Sequence, residues 1–129
     1  MISTSVRIAA TPEVVFPYLT DPQLLVSWIG DRAELDARPG GTFAIDFGAT
    51  AAHGTYLEVE PPRRVVFTWG IPDDDAMPPG SSTVEIVLVA DGTDTIVNLT
   101  HRDLPDDREP SHLEGWERCL GALVVELDS

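Results

Sequence analysis

Three histidines, one cysteine and two runs of acids carry most of the chemical options in this 129-residue chain. His101 ends a stretch of alternating apolar residues and shares the parity of Val97 and Leu99. A neutral imidazole there can orient a polar ligand group or take a proton, which makes His101 the candidate general base. The plainer alternative is a histidine satisfied by a nearby acid or backbone group. His53 shares the parity of Thr55, Leu57 and Val59, and His112 stands at the start of the last helical segment. The three lack the i,i+4 or C-x-x-C spacing of a metal site, so no metal is expected. Asp73, Asp74 and Asp75 form one acidic run; Asp103, Asp106, Asp107 and Glu109 form another. Neither has the alternating oxygens of a calcium loop. They read as solvated loops, or as a lid that repels anions and attracts a cationic partner. Glu58 and Glu60 read as a solvent-facing pair, and Cys119 as a buried, inert thiol. No G-x-S-x-G elbow and no glycine-rich strand-to-helix loop is present, so no dinucleotide cofactor is expected. Trp28, Phe43, Phe47, Trp69 and Trp116, with Leu120, are the candidate wall of a ligand cavity; ordinary core packing is the alternative.

Composition narrows the field. There are 8 arginines, no lysine and 22 acids, for a net charge of −14. Without lysine there is no Schiff-base nucleophile and no phosphate-loop lysine. The negative charge opposes nucleic acid and anionic membranes. A single cysteine excludes an internal disulfide. At 43% hydrophobic the chain can build a core, and folding should bury roughly two-thirds of its surface. The first residues do not follow a signal-peptide pattern, and no run approaches the ~20 apolar residues of a membrane span. The expectation is one soluble, cytoplasmic domain over residues 1–129.

The elements that must position these residues follow from periodicity. Ile2, Val6 and Ile8 alternate, a strand pattern over 2–9. Thr11-Pro12-Glu13 and Asp21-Pro22 are helix starts, so two short helices follow, ending near Gly30, with Pro17 shortening or kinking the first. Period-two stretches at 33–37, 42–47, 55–60, 64–70, 83–90 and 95–102 predict six more strands. Their turns fall at 38–41, 61–62 and 91–93. Leu113, Trp116, Leu120, Leu123 and Leu127 then repeat at helical spacing, behind a Ser111/Glu114 capping box. One amphipathic helix and seven strands predict an α+β fold: a curved antiparallel sheet gripping the C-terminal helix on its concave face. Reversal of direction at each turn sends the longer connections, 48–52, 72–80 and 103–110, to one end, beside the start of the helix. That end is the expected mouth.

This order resembles the helix-grip fold of the START-like SRPBCC superfamily. It is most similar to the branch named for homologues of the activator of heat-shock protein 90 ATPase. The resemblance rests on Leu-Thr-Asp-Pro (19–22) ahead of Trp28, Pro-Gly-Gly-Thr-Phe (39–43), Gly-Thr-Tyr-Leu-Glu-Val-Glu-Pro-Pro-Arg-Arg-Val-Val-Phe-Thr-Trp (54–69), Thr-Ile-Val-Asn-Leu-Thr-His (95–101), and Gly-Trp (115–116) before Leu120 and Leu123. It implies a small lipophilic molecule held between sheet and long helix. A second implication is an enzyme of the polyketide cyclase or dehydratase type, with His101 as its base. A third is a co-chaperone or other interaction domain; the eukaryotic activators carry an additional N-terminal domain. Exposed strand edges would allow a homodimer.

Overall fold

In a computed structural model, which describes residues 1–128, the strand pattern at the start becomes β1 (Ile2–Ile8), with Ile2 and Ile8 buried at its two ends. Three helical turns follow: α1 (Pro12–Val15), α2 (Pro17–Thr20) and α3 (Pro22–Leu25). Each opens on a proline, at the position where a helix needs no N–H donor. Pro17 therefore divides the first expected helix in two. The Asp21 carboxylate accepts from the Gln23 N–H at 2.9 Å and caps α3.

Six strands follow: β2 (Arg32–Leu35), β3 (Thr42–Asp46), β4 (Ala51–Glu60), β5 (Arg64–Trp69), β6 (Ser82–Asp91) and β7 (Asp94–Arg102). They form one seven-stranded antiparallel sheet in the order β1-β7-β6-β5-β4-β3-β2. β6 and β7 join through Gly92 and Thr93, with Gly92 at φ +63°, a left-handed conformation that glycine adopts at no steric cost. β4 begins four residues earlier than its pattern predicts, because Ala51 and Ala52 pair with Asp46 and Ile45 of β3.

β4 also carries an irregularity in register between Tyr56 and Glu58. A bulge of this kind reverses which face the following residues meet. Ala52 and Tyr56 point inward ahead of it, and Val59 packs on the core beyond it. His53 and Leu57 are consequently turned outward, a correction to the uniform parity assumed for this strand. Glu58 and Glu60 do face solvent, where both pair with Arg64, at 2.8 and 2.7 Å.

The long helix, α4 (Glu109–Asp128), starts directly after a 3-10 turn, Asp106–Arg108. Ser111 thus lies inside the helix rather than at its cap. Its hydroxyl donates to the Arg108 carbonyl at 3.1 Å, and Glu114 pairs with Arg118 at 3.2 Å, so the expected capping box is not formed. Acids at 106, 107 and 109 instead sit at the positive end of the helix dipole. Trp116, Leu120 and Leu123 are the buried face of α4 and belong to the same core as Leu99, Val97 and Ile86 of the sheet. The Met1 ammonium forms an ion pair with Glu109 and ties the start of β1 to the start of α4.

Candidate functional site

The gripped helix presents two faces to the interior, and they differ in size. Trp116, Leu120 and Leu123 are large and fill their space. Gly115, Cys119 and Ala122 run alongside at spacings of four and three, on an adjacent face of the same turns. They are small, and a Cβ added to Gly115 would meet no atom within 4 Å. A cavity of about 490 Å³ opens there. Its other walls are Trp28 and Ile29 after α3, Phe47 after β3, Ala52 at the start of β4, and Trp69 at the end of β5. It lies at the end of the sheet where the longer connections meet the start of α4.

Of the seven residues expected to line a cavity, Trp28, Phe47, Trp69 and Trp116 do so. Phe43, Leu120 and His101 are not on its wall. Phe43 stacks on Phe67 with ring centroids 3.8 Å apart and takes Tyr56 edge-on at 5.6 Å, a closed aromatic group in the core. The Tyr56 hydroxyl donates to the Leu19 carbonyl at 3.0 Å and fastens α2 to the sheet. Leu120 is fully buried one turn beyond Trp116.

His101 is also fully buried, and its chemistry is decided by its partners. The Trp116 indole N–H donates to Nδ1 at 3.0 Å. Nε2 lies 2.9 Å from the Ser82 hydroxyl, which donates its own proton to the Trp69 carbonyl at 2.9 Å. An indole nitrogen only donates, and a hydroxyl has one proton to give. Nδ1 is therefore bare, and Nε2 carries the hydrogen. A second proton on Nδ1 would face the indole N–H. Burial, helped by the neighbouring His112 ring and the N-terminal ammonium, draws the His101 pKa down to about 3. Both His101 nitrogens are thus engaged, and the ring has no open face. It fixes Trp116, and Ser82 at the sheet, in place.

His112 is the histidine on the cavity wall. Its ring centroid is 5.5 Å from that of His101 and 6.3 Å from that of Trp69. Nδ1 lies 3.0 Å from the Arg108 carbonyl, an oxygen that only accepts, so Nδ1 carries the proton. Nε2 then holds a lone pair with no protein partner among the described residues. Partial burial moves the His112 pKa below its ordinary value, which keeps the ring neutral at pH 7. The sequence marked His112 only as a possible metal ligand. The usable signal was its place one residue past Ser111 and three before Gly115, on the small-residue side of the helix.

The other expected groups are dispersed. His53 is exposed on the outer face of β4, so the three histidines do not converge. Among the described residues no cluster of three His, Cys, Asp or Glu side chains could hold a metal ion. Cys119 is half-buried on the cavity wall, and burial raises its thiol pKa, so it is a neutral apolar surface there. The first acidic run is more than a solvated loop. Asp74 accepts from Arg108 at 2.7 Å, and its neighbour Met77 is completely buried. The loop doubles back so tightly that a Cβ on Gly70 would stand 1.9 Å from the Pro78 carbonyl oxygen. Asp74 and Arg108 thus strap the 71–81 connection to the start of α4.

One buried polar atom among the residues around the cavity is left over. Trp28 donates to the Tyr18 carbonyl at 2.9 Å, and Trp116 donates to His101. The Trp69 Nε1–H, on a side chain only 5% exposed, has no partner among the described residues. Buried donors of this kind are uncommon in native proteins.

Residues 9–128 match the model of the family described as activator of Hsp90 ATPase homolog 1-like protein. A solution structure of an AHSA1-like protein from Rhizobium etli is 39% identical, with 95% of this chain and 81% of that one covered and a TM-score of 0.69. CalU16 from Micromonospora echinospora is 29% identical, covering 94% and 71%, with a TM-score of 0.79. A protein from Chromobacterium violaceum is 26% identical, covering 99% and 96%, with a TM-score of 0.84. No curated protein gives a significant match.

Proposed function

This chain belongs to the activator of Hsp90 ATPase homolog 1-like family, and from that premise we propose that it binds a small, largely apolar molecule in the cavity between sheet and C-terminal helix. The observation that carries the reading is the cavity itself. At about 490 Å³ it has the size of a small-molecule site, with aromatic walls and few polar groups. It persists because the helix offers Gly115, Cys119 and Ala122 where larger side chains would close it. Thr50, Ser111 and Arg118 stand at its exposed rim.

A catalytic reading attaches to His112 rather than to His101. A neutral imidazole with Nδ1–H anchored on a backbone carbonyl and Nε2 free is the arrangement of a general base. The co-chaperone reading has less support. The large exposed apolar side chains Val14, Leu57, Val89 and Val125 sit on four separate elements.

The test is saturable binding of the neutral fluorophore N-phenyl-1-naphthylamine. All three tryptophans line the cavity, so binding should quench intrinsic emission as the probe brightens. Gly115→Phe fills the space from a position with no atom in the way and should weaken binding at least ~10-fold with the circular dichroism unchanged. Equal binding by a folded Gly115→Phe, or no saturable binding by the wild type, would remove this reading.

A further inference from the structure

The cavity wall carries charge in one place. Among the described residues that line it, Arg118 alone is charged at pH 7, and no carboxylate stands with it. The chain as a whole is the reverse, with 22 acids against 8 arginines. Arg118 follows Ser111 and Gly115 at spacings of seven and three, so it belongs to the stripe of α4 that borders the cavity. The two arginines of α4 and its preceding turn are held differently. Arg108 is committed: its terminal nitrogens reach the Asp74 carboxylate at 2.7 and 3.4 Å, and it is not on the wall. Arg118 has one contact, a nitrogen 3.2 Å from Glu114, and the two side chains are 72% and 76% exposed. An i,i+4 pair in that much water contributes little, so exchanging Glu114 for another carboxylate costs little. Glu114 itself is not on the wall.

From this distribution of charge we infer that the cavity takes an amphipathic monoanion. Its body is aromatic or short and aliphatic and enters the cavity; its one carboxylate stays at the rim, in the field of Arg118. The inference rests on the binding reading above and specifies its ligand class. A carboxylate at this rim keeps much of its water, because Thr50, Ser111 and Arg118 are all exposed. The desolvation that bars a charge from an apolar interior is therefore mostly avoided. Salt screens exposed charges beyond about 8–10 Å, so the distant acids behind the net charge of −14 weigh less at the rim than Arg118 does. A neutral ligand of the same shape gains nothing from the guanidinium. A cation is repelled by it and finds no carboxylate on the wall. The Ser111 hydroxyl does not compete for the ligand, since its proton is given to the Arg108 carbonyl.

The test displaces N-phenyl-1-naphthylamine with four compounds on one ring system. They are 2-naphthoate, its neutral isostere 2-naphthamide, 2-naphthol and the cation 2-naphthylmethylammonium. Wild type should favour 2-naphthoate over each of the others ~3-fold or more, and added salt should erode that preference. Arg118→Gln removes the charge and should cut the preference for 2-naphthoate over 2-naphthamide by ~3-fold or more. Arg118→Lys keeps the charge and should keep the preference. Arg118 is exposed, and binding of the neutral probe by each variant shows that the cavity is intact. If 2-naphthamide, 2-naphthol or the cation binds within ~3-fold of 2-naphthoate to wild type, the anion inference is overturned and the cavity reading stands. If Arg118→Gln keeps the preference, or Arg118→Lys loses it, the charge at this position is not its source and the inference is likewise overturned. If neither the probe nor 2-naphthol binds, both readings go together.

Discussion

Two histidines with ring centroids 5.5 Å apart sit in opposite halves of the interior, and the difference between them separates a packed half from an open one. His101 lies in the sealed half. Both its nitrogens are matched to Trp116 and Ser82, and beyond it Phe43, Tyr56, Phe67 and Leu120 pack without a gap for a ligand. His112 lies in the open half, with one nitrogen held by backbone and one free, across from an indole that also lacks a partner. A buried polar group that is fully satisfied rigidifies its surroundings; one left unsatisfied persists where something else is meant to meet it. By that criterion the more deeply buried histidine is structural, and the half-buried one faces the cavity.

The largest effect that could break the contrast is on stability. His101→Ala should cost about 3 kcal/mol or more, from the space it leaves, from stranding the Trp116 donor and from taking away the proton that the Ser82 oxygen accepts. His112→Ala should cost about 1 kcal/mol or less. Urea denaturation with unchanged slopes decides the matter, and equal costs would erase the distinction. Next comes pH. The folded pKa of His101 lies below that of the unfolded chain, so the unfolded state binds more protons as the solution acidifies. Stability is then full above about pH 6.5 and is lost as pH falls toward 3, by at most ~1.4 kcal/mol per unit from this group. His112 shifts in the same direction and adds to it. Measured between pH 6.5 and 5, above the carboxylate range, the slope should shrink in a folded His101 variant. A slope that does not change would place the acid sensitivity elsewhere.

Smaller again is a difference between two tryptophans. Trp116→Phe breaks the bond to His101 and should exceed Trp69→Phe in cost by about 1–2 kcal/mol, since the Trp69 nitrogen has no bond to lose. Thermal unfolding of the two variants side by side checks it. The smallest effect has the opposite sign. Gly115→Ala places a methyl in open space on a helix and should stabilise by about 0.5–1 kcal/mol. A destabilised Gly115→Ala would mean that the wall is tighter than the structure shows.

Most of the architecture was legible because it depends on period and parity. Seven strands, short helices after the first and a long amphipathic helix at the end follow from alternation, from proline positions and from the Leu113-to-Leu127 stripe. Parity failed where the backbone departs from regularity. The bulge after Tyr56 turns His53 outward, and no residue type around it announces one. The helix start was misplaced because Ser111 and Glu114 fit a capping pattern that acids at 106–109 anticipate by two residues. On the cavity wall, the three tryptophans and Phe47 were legible because large aromatics stand out. Half the cavity, however, is made by what is missing from the helix. Gly115, Cys119 and Ala122 carry little signal individually, and only beside the Trp116-Leu120-Leu123 face do they mark a hollow. His101 stood out ahead of His112 for a related reason. Parity predicts that a side chain points inward but not whether a partner is already waiting there.

The most direct measurement is the crystal structure of the protein with 2-naphthol. The account predicts the naphthalene ring inside the cavity, among Trp28, Phe47, Trp69 and Trp116. No compound bound in the soaked crystal, or one bound anywhere but this cavity, would contradict it.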